Sequence, residues 1–243
     1  MTKKNLPLLL VVAICFVSFF SCRKVTVSTS DATRNFFPLK MGKTVTYDVD
    51  SIYFIGANCS QVEVKSQMLY SVTDTFRDSK FRLSYIMDVF TRPYNGGIWQ
   101  PSTVILITPT TDSLLYTQDG TQYIKLIFPI ANGKSWLGNA YAQINNPAFA
   151  YLSGWNYTYK NYDLPYNNGL VNFNNSVTVL EQDQSINYPG VDSQIAATRT
   201  YAKEVYAYNV GMIYKEWRHT VYTPDTAACV QGYSVIMKAI DYN

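Results

Sequence analysis

Few residues in this 243-residue chain could do chemistry. His219 is the only histidine, so a Ser-His-Asp triad would have to use it, and a histidine-rich metal centre is excluded. His219 sits in the strand-like run Glu216-Trp217-Arg218-His219-Thr220-Val221, where a surface or interface strand position is the plainer reading. Asp48 with Asp50, and Glu181 with Asp183, are i, i+2 carboxylate pairs that could serve glycoside hydrolysis. On a strand such pairs are ordinarily solvated. Asp48 and Asp50 also lack the further oxygens and turn glycine of a calcium loop. No nucleophile elbow, phosphate loop, dinucleotide fingerprint, HExxH or CxxC occurs. The expectation is no catalytic residue, no metal, no cofactor and no enzyme, with an envelope hydrolase as the outlying alternative.

The most unusual segment is Tyr151 to Tyr166 (YLSGWNYTYKNYDLPY), which mixes aromatic rings with Asn, Asp, Lys and Gly. Tyr201, Tyr206, Tyr208, Tyr214 and Trp217 follow it. Rings with few rotors and a polar tip suit recognition surfaces. Read as a loop, the segment makes Trp155, Tyr157, Tyr159 and Tyr162 candidate contacts for a glycan or an envelope protein. The competing reading is half-buried strand tyrosine.

The N-terminus reads as an address. Lys3 and Lys4 precede the apolar run Leu6 to Phe20, too short for a spanning helix but right for a secretory leader. Ser21-Cys22 at its end resembles the lipobox of bacterial lipoproteins. The resemblance implies cleavage before Cys22 and acylation of its sulfur and new amino group, with multiple acyl chains giving firm anchorage. Arg23, rather than Asp, follows the cysteine, and no acidic cluster comes after it. By the same resemblance the protein is sorted to the outer membrane with its body in the periplasm, the cell surface being the alternative. The expected organisation is a signal peptide over 1–21, a lipidated Cys22 with a flexible tether over 22–35, and one β domain over 36–243.

Of four cysteines, Cys15 leaves with the leader and Cys22 carries lipid. Cys59 and Cys229 remain, an even pair in an oxidising compartment, and are expected to form a disulfide. Two free thiols are the alternative. Removal of the leader takes Lys3 and Lys4 with it and leaves 18 basic against 17 acidic side chains, net +1. That balance excludes a nucleic-acid partner. Charged residues are 15% and aromatics 15%, with 21 tyrosines, which excludes disorder and coiled coil.

The body alternates with period two. In Thr44 to Phe54, Val45, Tyr47 and Val49 share one face while Thr46, Asp48 and Asp50 share the other. Similar runs span Gln61 to Val72, Phe81 to Phe90, Val104 to Thr108, Ser113 to Thr117, Thr121 to Phe128, Ser176 to Asp183, Thr198 to Tyr208, Met212 to Tyr222 and Tyr233 to Tyr242. Asp119-Gly120 marks a hairpin, and Asn209 with Gly211 marks another turn. The best helical candidate, Ala140 to Leu152, is interrupted by Pro147. About ten antiparallel strands predict an all-β domain, as a curved sheet or half-barrel or as a sandwich.

Phe37-Pro38-Leu39-Lys40-Met41-Gly42-Lys43 is echoed by Phe128-Pro129-Ile130-Ala131-Asn132-Gly133-Lys134. Both copies read F-P-[LI]-x-x-G-K and predict a turn that plugs the end of a sheet. With the lipobox cysteine and the late Val210-Gly211-Met212-Ile213-Tyr214-Lys215-Glu216, these motifs resemble a family of Bacteroidota-type cell-envelope lipoproteins. The resemblance implies location and an all-β body, and gives no residue a role. At the level of fold alone, some such lipoproteins are similar to LolA-like half-barrels, which keeps a periplasmic carrier of lipid or lipoprotein as an alternative function.

Overall fold

The computed structural model describes residues 33–55, 60–142, 147–187, 194–224 and 229–243. Twelve antiparallel strands form one sheet, β1 Thr44–Ile55, β2 Ser60–Arg77, β3 Leu83–Pro93, β4 Gln100–Pro109, β5 Ser113–Gln118, β6 Thr121–Ile127, β7 Ser135–Leu137, β8 Asn156–Asn167, β9 Asn172–Ile186, β10 Ala197–Ala207, β11 Gly211–Thr223 and β12 Cys229–Tyr242. Their order is β6-β5-β4-β3-β2-β1-β12-β11-β10-β9-β8-β7. Every strand therefore neighbours the next in sequence, except that β6 and β7 are the two edge strands of the sheet while β1 and β12 pair at its middle. The sheet curls until β6 approaches β7 and β8, giving a nearly closed barrel. Among the described residues the one helical piece assigned as an element is the 3₁₀ turn Pro147–Leu152, and no helix is long and apolar enough to cross a membrane.

Period two sorts residues between lumen and exterior. On β1 the inward set is Val45, Tyr47 and Val49, each buried, and it continues through Ser51 to Tyr53. Register places Met237 opposite Val49, Val235 opposite Ser51 and Tyr233 opposite Tyr53. Ile105, Ile107, Val177, Val179, Ala202 and Met237 complete much of the core.

The β6 edge is sealed by side chains more than by a ladder. Ile124 N donates to Gly138 O at 2.8 Å, and Trp136 Nε1 donates to Ile124 O at 2.7 Å. The buried Tyr159 hydroxyl accepts from Ile127 N at 2.8 Å and donates to Ile127 O at 3.0 Å. One phenol thus does the work of a ladder pair, satisfying both main-chain groups of an edge residue that would otherwise be unpaired.

The repeated motif makes the same turn twice. Lys43 N bonds Lys40 O at 3.0 Å, and Lys134 N bonds Ala131 O at 3.2 Å. Gly42 and Gly133, both at φ +78, each donate at 2.9 Å to a facing strand residue, Val72 and Tyr159 respectively. Those residues donate back to Lys43 O at 2.9 Å and Lys134 O at 3.0 Å. The first copy launches β1 against β2, and the second launches β7 against β8.

Residues 33–43 close one end of the barrel. Phe36, 2% exposed, packs against Tyr162 and Tyr208, and Phe37 packs against Tyr206. Asn209 N donates to Asn35 O at 2.8 Å, and the Arg34 guanidinium lies 4.7 Å from the Phe128 ring centroid. The described chain therefore begins at this plugged end.

Replacing Tyr159 by Phe removes both bonds to Ile127 while keeping the ring. We expect a loss of about 1–3 kcal/mol in urea unfolding, the cost of leaving buried main-chain groups unpaired. An unchanged midpoint would show that the seam does not depend on this hydroxyl.

Candidate functional site

The four aromatic residues singled out in the sequence do not form a surface loop. They lie in and just before strand β8. Trp155, Tyr157 and Tyr159 are 2%, 2% and 0% exposed, and Tyr162 is half-buried. Tyr159 serves the seam, and Tyr162 packs on Phe36 at the plug. Only Trp155 and Tyr157 come together, in the wall of an internal cavity of about 120 Å³. The expectation of a recognition loop is corrected accordingly. β8 escaped notice because it is irregular: its pairing with β9 shifts register twice, and Asn161 and Asp163 take positive φ. Local chemistry adapts to these rings. A Cβ on Gly138 would sit 2.3 Å from Tyr157 Cε2, so glycine is required where the phenol crosses the backbone.

A buried ion cluster borders that cavity. The Lys125 ammonium on β6 reaches across the lumen to Glu181 Oε1 on β9 at 2.8 Å and Glu204 Oε1 on β10 at 2.7 Å. Lys215 of β11 lies 3.2 Å from Glu204, and the Tyr206 hydroxyl donates to Glu204 Oε2. The sequence placed Glu181 and Asp183 on a common solvated face. Instead Glu181 is 3% exposed, whereas Asp183 lies open beside Arg199 at 2.7 Å. A register shift between Ala202 and Lys203 accounts for the difference, because it places two β9 residues, Glu181 among them, opposite a single step of β10.

The charges are tuned by their surroundings. Burial alone would disfavour the Lys125 cation, but Glu181 and Glu204 outweigh it and hold its pKa well above the ordinary value. Burial would likewise raise Glu204, yet Lys125, Lys215 and the donated hydrogen bonds bring it down to about 2. Glu181 is raised, by burial and by the adjacent Glu204 carboxylate, and Lys125 only partly offsets this. Among the described residues no group of His, Cys, Asp and Glu is arranged to hold a metal ion.

Beyond the cavity, toward the end opposite the plug, inward-facing positions of adjacent strands carry a row of rings. Tyr53 of β1 and Tyr233 of β12 are register partners with ring centroids 6.5 Å apart. Tyr233 stacks with Trp217 of β11 at 4.4 Å, and Tyr151 stacks with His219 of the same strand at 4.0 Å. Tyr151 meets Trp217 edge-on at 6.1 Å. Burial and the nearby Tyr123 and Tyr53 phenols raise the Tyr233 pKa, and burial lowers that of His219. His219 Nδ1 lies 2.9 Å from Thr200 Oγ1, which fixes the imidazole. Tyr53 and Tyr233 are 48% and 43% exposed, so this aromatic mouth is open to solvent. Trp217 also lines the 120 Å³ cavity and so joins the two features.

Trp217 and His219 stand out in the sequence as single residues, not as parts of a mouth. The signal was available in strand parity: Tyr53 shares a face with Tyr47 and Val49, and Trp217 with His219. What was missing was the register that sets β1, β12 and β11 side by side.

No protein-family model matches the chain, and no curated protein matches it. Among solved structures, the chain is similar to one from Bacteroides fragilis described as an exported protein with a YmcC-like fold, at 11% identity and TM-score 0.34, over 85% of this chain and 99% of that one. It is also similar to one from Parabacteroides distasonis described as a lipoprotein, at 14% identity and TM-score 0.28, over 84% of this chain and 98% of that one. Likeness at this level transfers neither fold nor role.

The cluster gives a signed pH dependence. Glu204, depressed below its unfolded value near 4.3, adds stability that is fully present above about pH 4.5 and lost as pH falls toward 2. Glu181, raised, acts in the opposite sense and takes up its proton first. We expect Glu204→Gln to lower the neutral-pH urea midpoint and to flatten the acid limb between about pH 4.5 and 2. An acid limb as steep as in the parent would contradict the assignment. Lys125→Met, which takes the ion-pair partner from buried Glu181 and leaves Glu204 to Lys215, should cost about 3–5 kcal/mol in the same measurement.

Proposed function

We propose that this chain is a non-enzymatic envelope lipoprotein, moored to the outer membrane through acylated Cys22, whose barrel body in the periplasm binds a ligand at its aromatic mouth. The observation that carries the reading is the polarity of the barrel. Residues 33–43, where the described chain begins, plug one end, and the exposed Tyr53 and Tyr233 lie at the other. From Thr44 to Tyr53 an extended strand covers roughly 30 Å. A body hung by this tether presents its mouth away from the anchoring bilayer.

The interior supports a binding body better than a carrier of acyl chains. The cavity beneath the mouth is about 120 Å³, room for a few waters or one small substituent, and Lys125, Glu181 and Gln118 make its lining polar. The buried carboxylates are engaged by lysines, which favours a structural over a hydrolytic role for them.

The Cys59–Cys229 disulfide belongs to the same reading. Cys59 lies outside the described residues. Ser60, next in the chain, pairs with Ile55, and Cys229 is buried at the start of β12, whose Gly232 faces Phe54. The described strand that ends just before position 59 is therefore the sheet neighbour of the strand that Cys229 opens.

Intact-mass analysis of protein extracted from its own envelope should show loss of residues 1–21 and acyl mass on Cys22. In vesicles carrying the acylated protein, energy transfer to a lipid acceptor should be strong from a dye at position 41 and weak from one at position 62. An unprocessed, lipid-free N-terminus, or equal transfer from both positions, would overturn the proposal.

A further inference from the structure

We infer that the aromatic mouth is a carbohydrate site, and that its ligand is a neutral, hydroxyl-rich sugar chain entering along the row Tyr53, Tyr233, Trp217 and Tyr151. This deepens the function proposed above and rests on its placement of the ligand at the mouth.

Three observations converge. First, the row offers ring surface and polar edges together. Tyr53 and Tyr233 keep nearly half their surface open. The Tyr53, Tyr151 and Tyr233 hydroxyls, Trp217 Nε1 and His219 Nε2 have no hydrogen-bond partner among the described residues. By contrast, Trp136 Nε1 and Trp155 Nε1 are both bonded to main-chain oxygens. Sugar rings present C–H patches to aromatic surface and hydroxyls to such edges, so both halves of the surface are used.

Second, the row is held in place before any ligand arrives. Trp217 is set between Tyr233 and Tyr151, and His219 is fixed by Thr200 and by its stack on Tyr151. Rings already immobilised lose little conformational freedom on binding.

Third, the floor selects for neutrality and against a lipid. The adjoining cavity of about 120 Å³ is too small for an acyl chain. Its ions are balanced internally, two lysines against two glutamates within 3.2 Å, so no unpaired charge waits for an acidic or basic ligand. A peptide adding as a strand would need a free sheet edge, and the mouth is built from β1, β12 and β11, each paired on both sides.

The test uses the mature chain and two neutral probes, the N-acetylglucosamine tetramer and cellotetraose, followed by tryptophan fluorescence and calorimetry. We expect at least one to bind with a Kd below 1 mM. Trp217→Ala and Tyr233→Ala should each weaken it at least tenfold. Tyr242→Ala, an exposed ring at the plugged end, should leave it unchanged. Should Trp217→Ala disturb folding, Tyr53→Ala serves in its place, because that ring is half exposed. Failure of both sugars to bind at 10 mM, or equal binding by the mouth variants, overturns the inference. Binding of palmitate or of an extended peptide with the sugars silent would also overturn it and reassign the mouth to that class. Neither result touches the acylation and orientation measurements, so the two proposals fail separately.

Discussion

A lysine side chain that crosses the lumen holds this barrel shut. The sheet has two free ends, and a curled sheet with unpaired edges is an invitation to splay or to pair with another chain. Among the described residues the backbone contributes one hydrogen bond across this seam, from Ile124 to Gly138 just past β7, and side chains supply the rest. Tyr159 and Trp136 stitch the edge locally, and Lys125 ties β6 to β9 and β10 on the far wall. The ion cluster is expensive to bury and is offset by geometry: two carboxylates on one ammonium, a second lysine, and a tyrosine hydroxyl donating to the more heavily engaged acid. The interior polarity and the size of the cavity follow from the same cluster, since the charged groups occupy space that a hollow barrel would give to an apolar ligand.

Closure divides the molecule into two unlike ends. At one, the first F-P-L-x-x-G-K turn and Phe36 fill the opening, and the β10–β11 turn is pinned to Asn35. At the other, long strands carry their inward rings to where water reaches them. The same alternation that buries Val45, Tyr47 and Val49 in the core brings Tyr53 to the mouth, so plug and mouth are one strand pattern carried past the point where packing runs out.

Much of this was legible in the residues. Alternation on β1 to β6 and on β9 to β12 marked them as strands, Asp119-Gly120 marked its hairpin, and the echoed motif proved to be one turn used twice with matching hydrogen bonds. β7 has three residues, too few for a period to show, and β8 is broken by two register shifts, so its rings read as a loop although they are core. Glu181 was hidden for a related reason: a bulge changes which face a residue occupies, and a bulge leaves no trace in composition. The mouth required knowing that β1, β12 and β11 are adjacent, a relation between residues nearly two hundred positions apart that no local pattern carries.

Hydrogen exchange tests the central claim most directly, by comparing Lys125→Met with the parent at neutral pH. If Lys125 clasps the barrel, the Ile124 and Ile127 amides lose protection by orders of magnitude, while amides in the β1–β12 ladder such as Val49 lose no more than the global stability change requires. Uniform loss across both regions, or unchanged protection at the seam, would contradict a clasp and leave the cluster as a passive feature of the core.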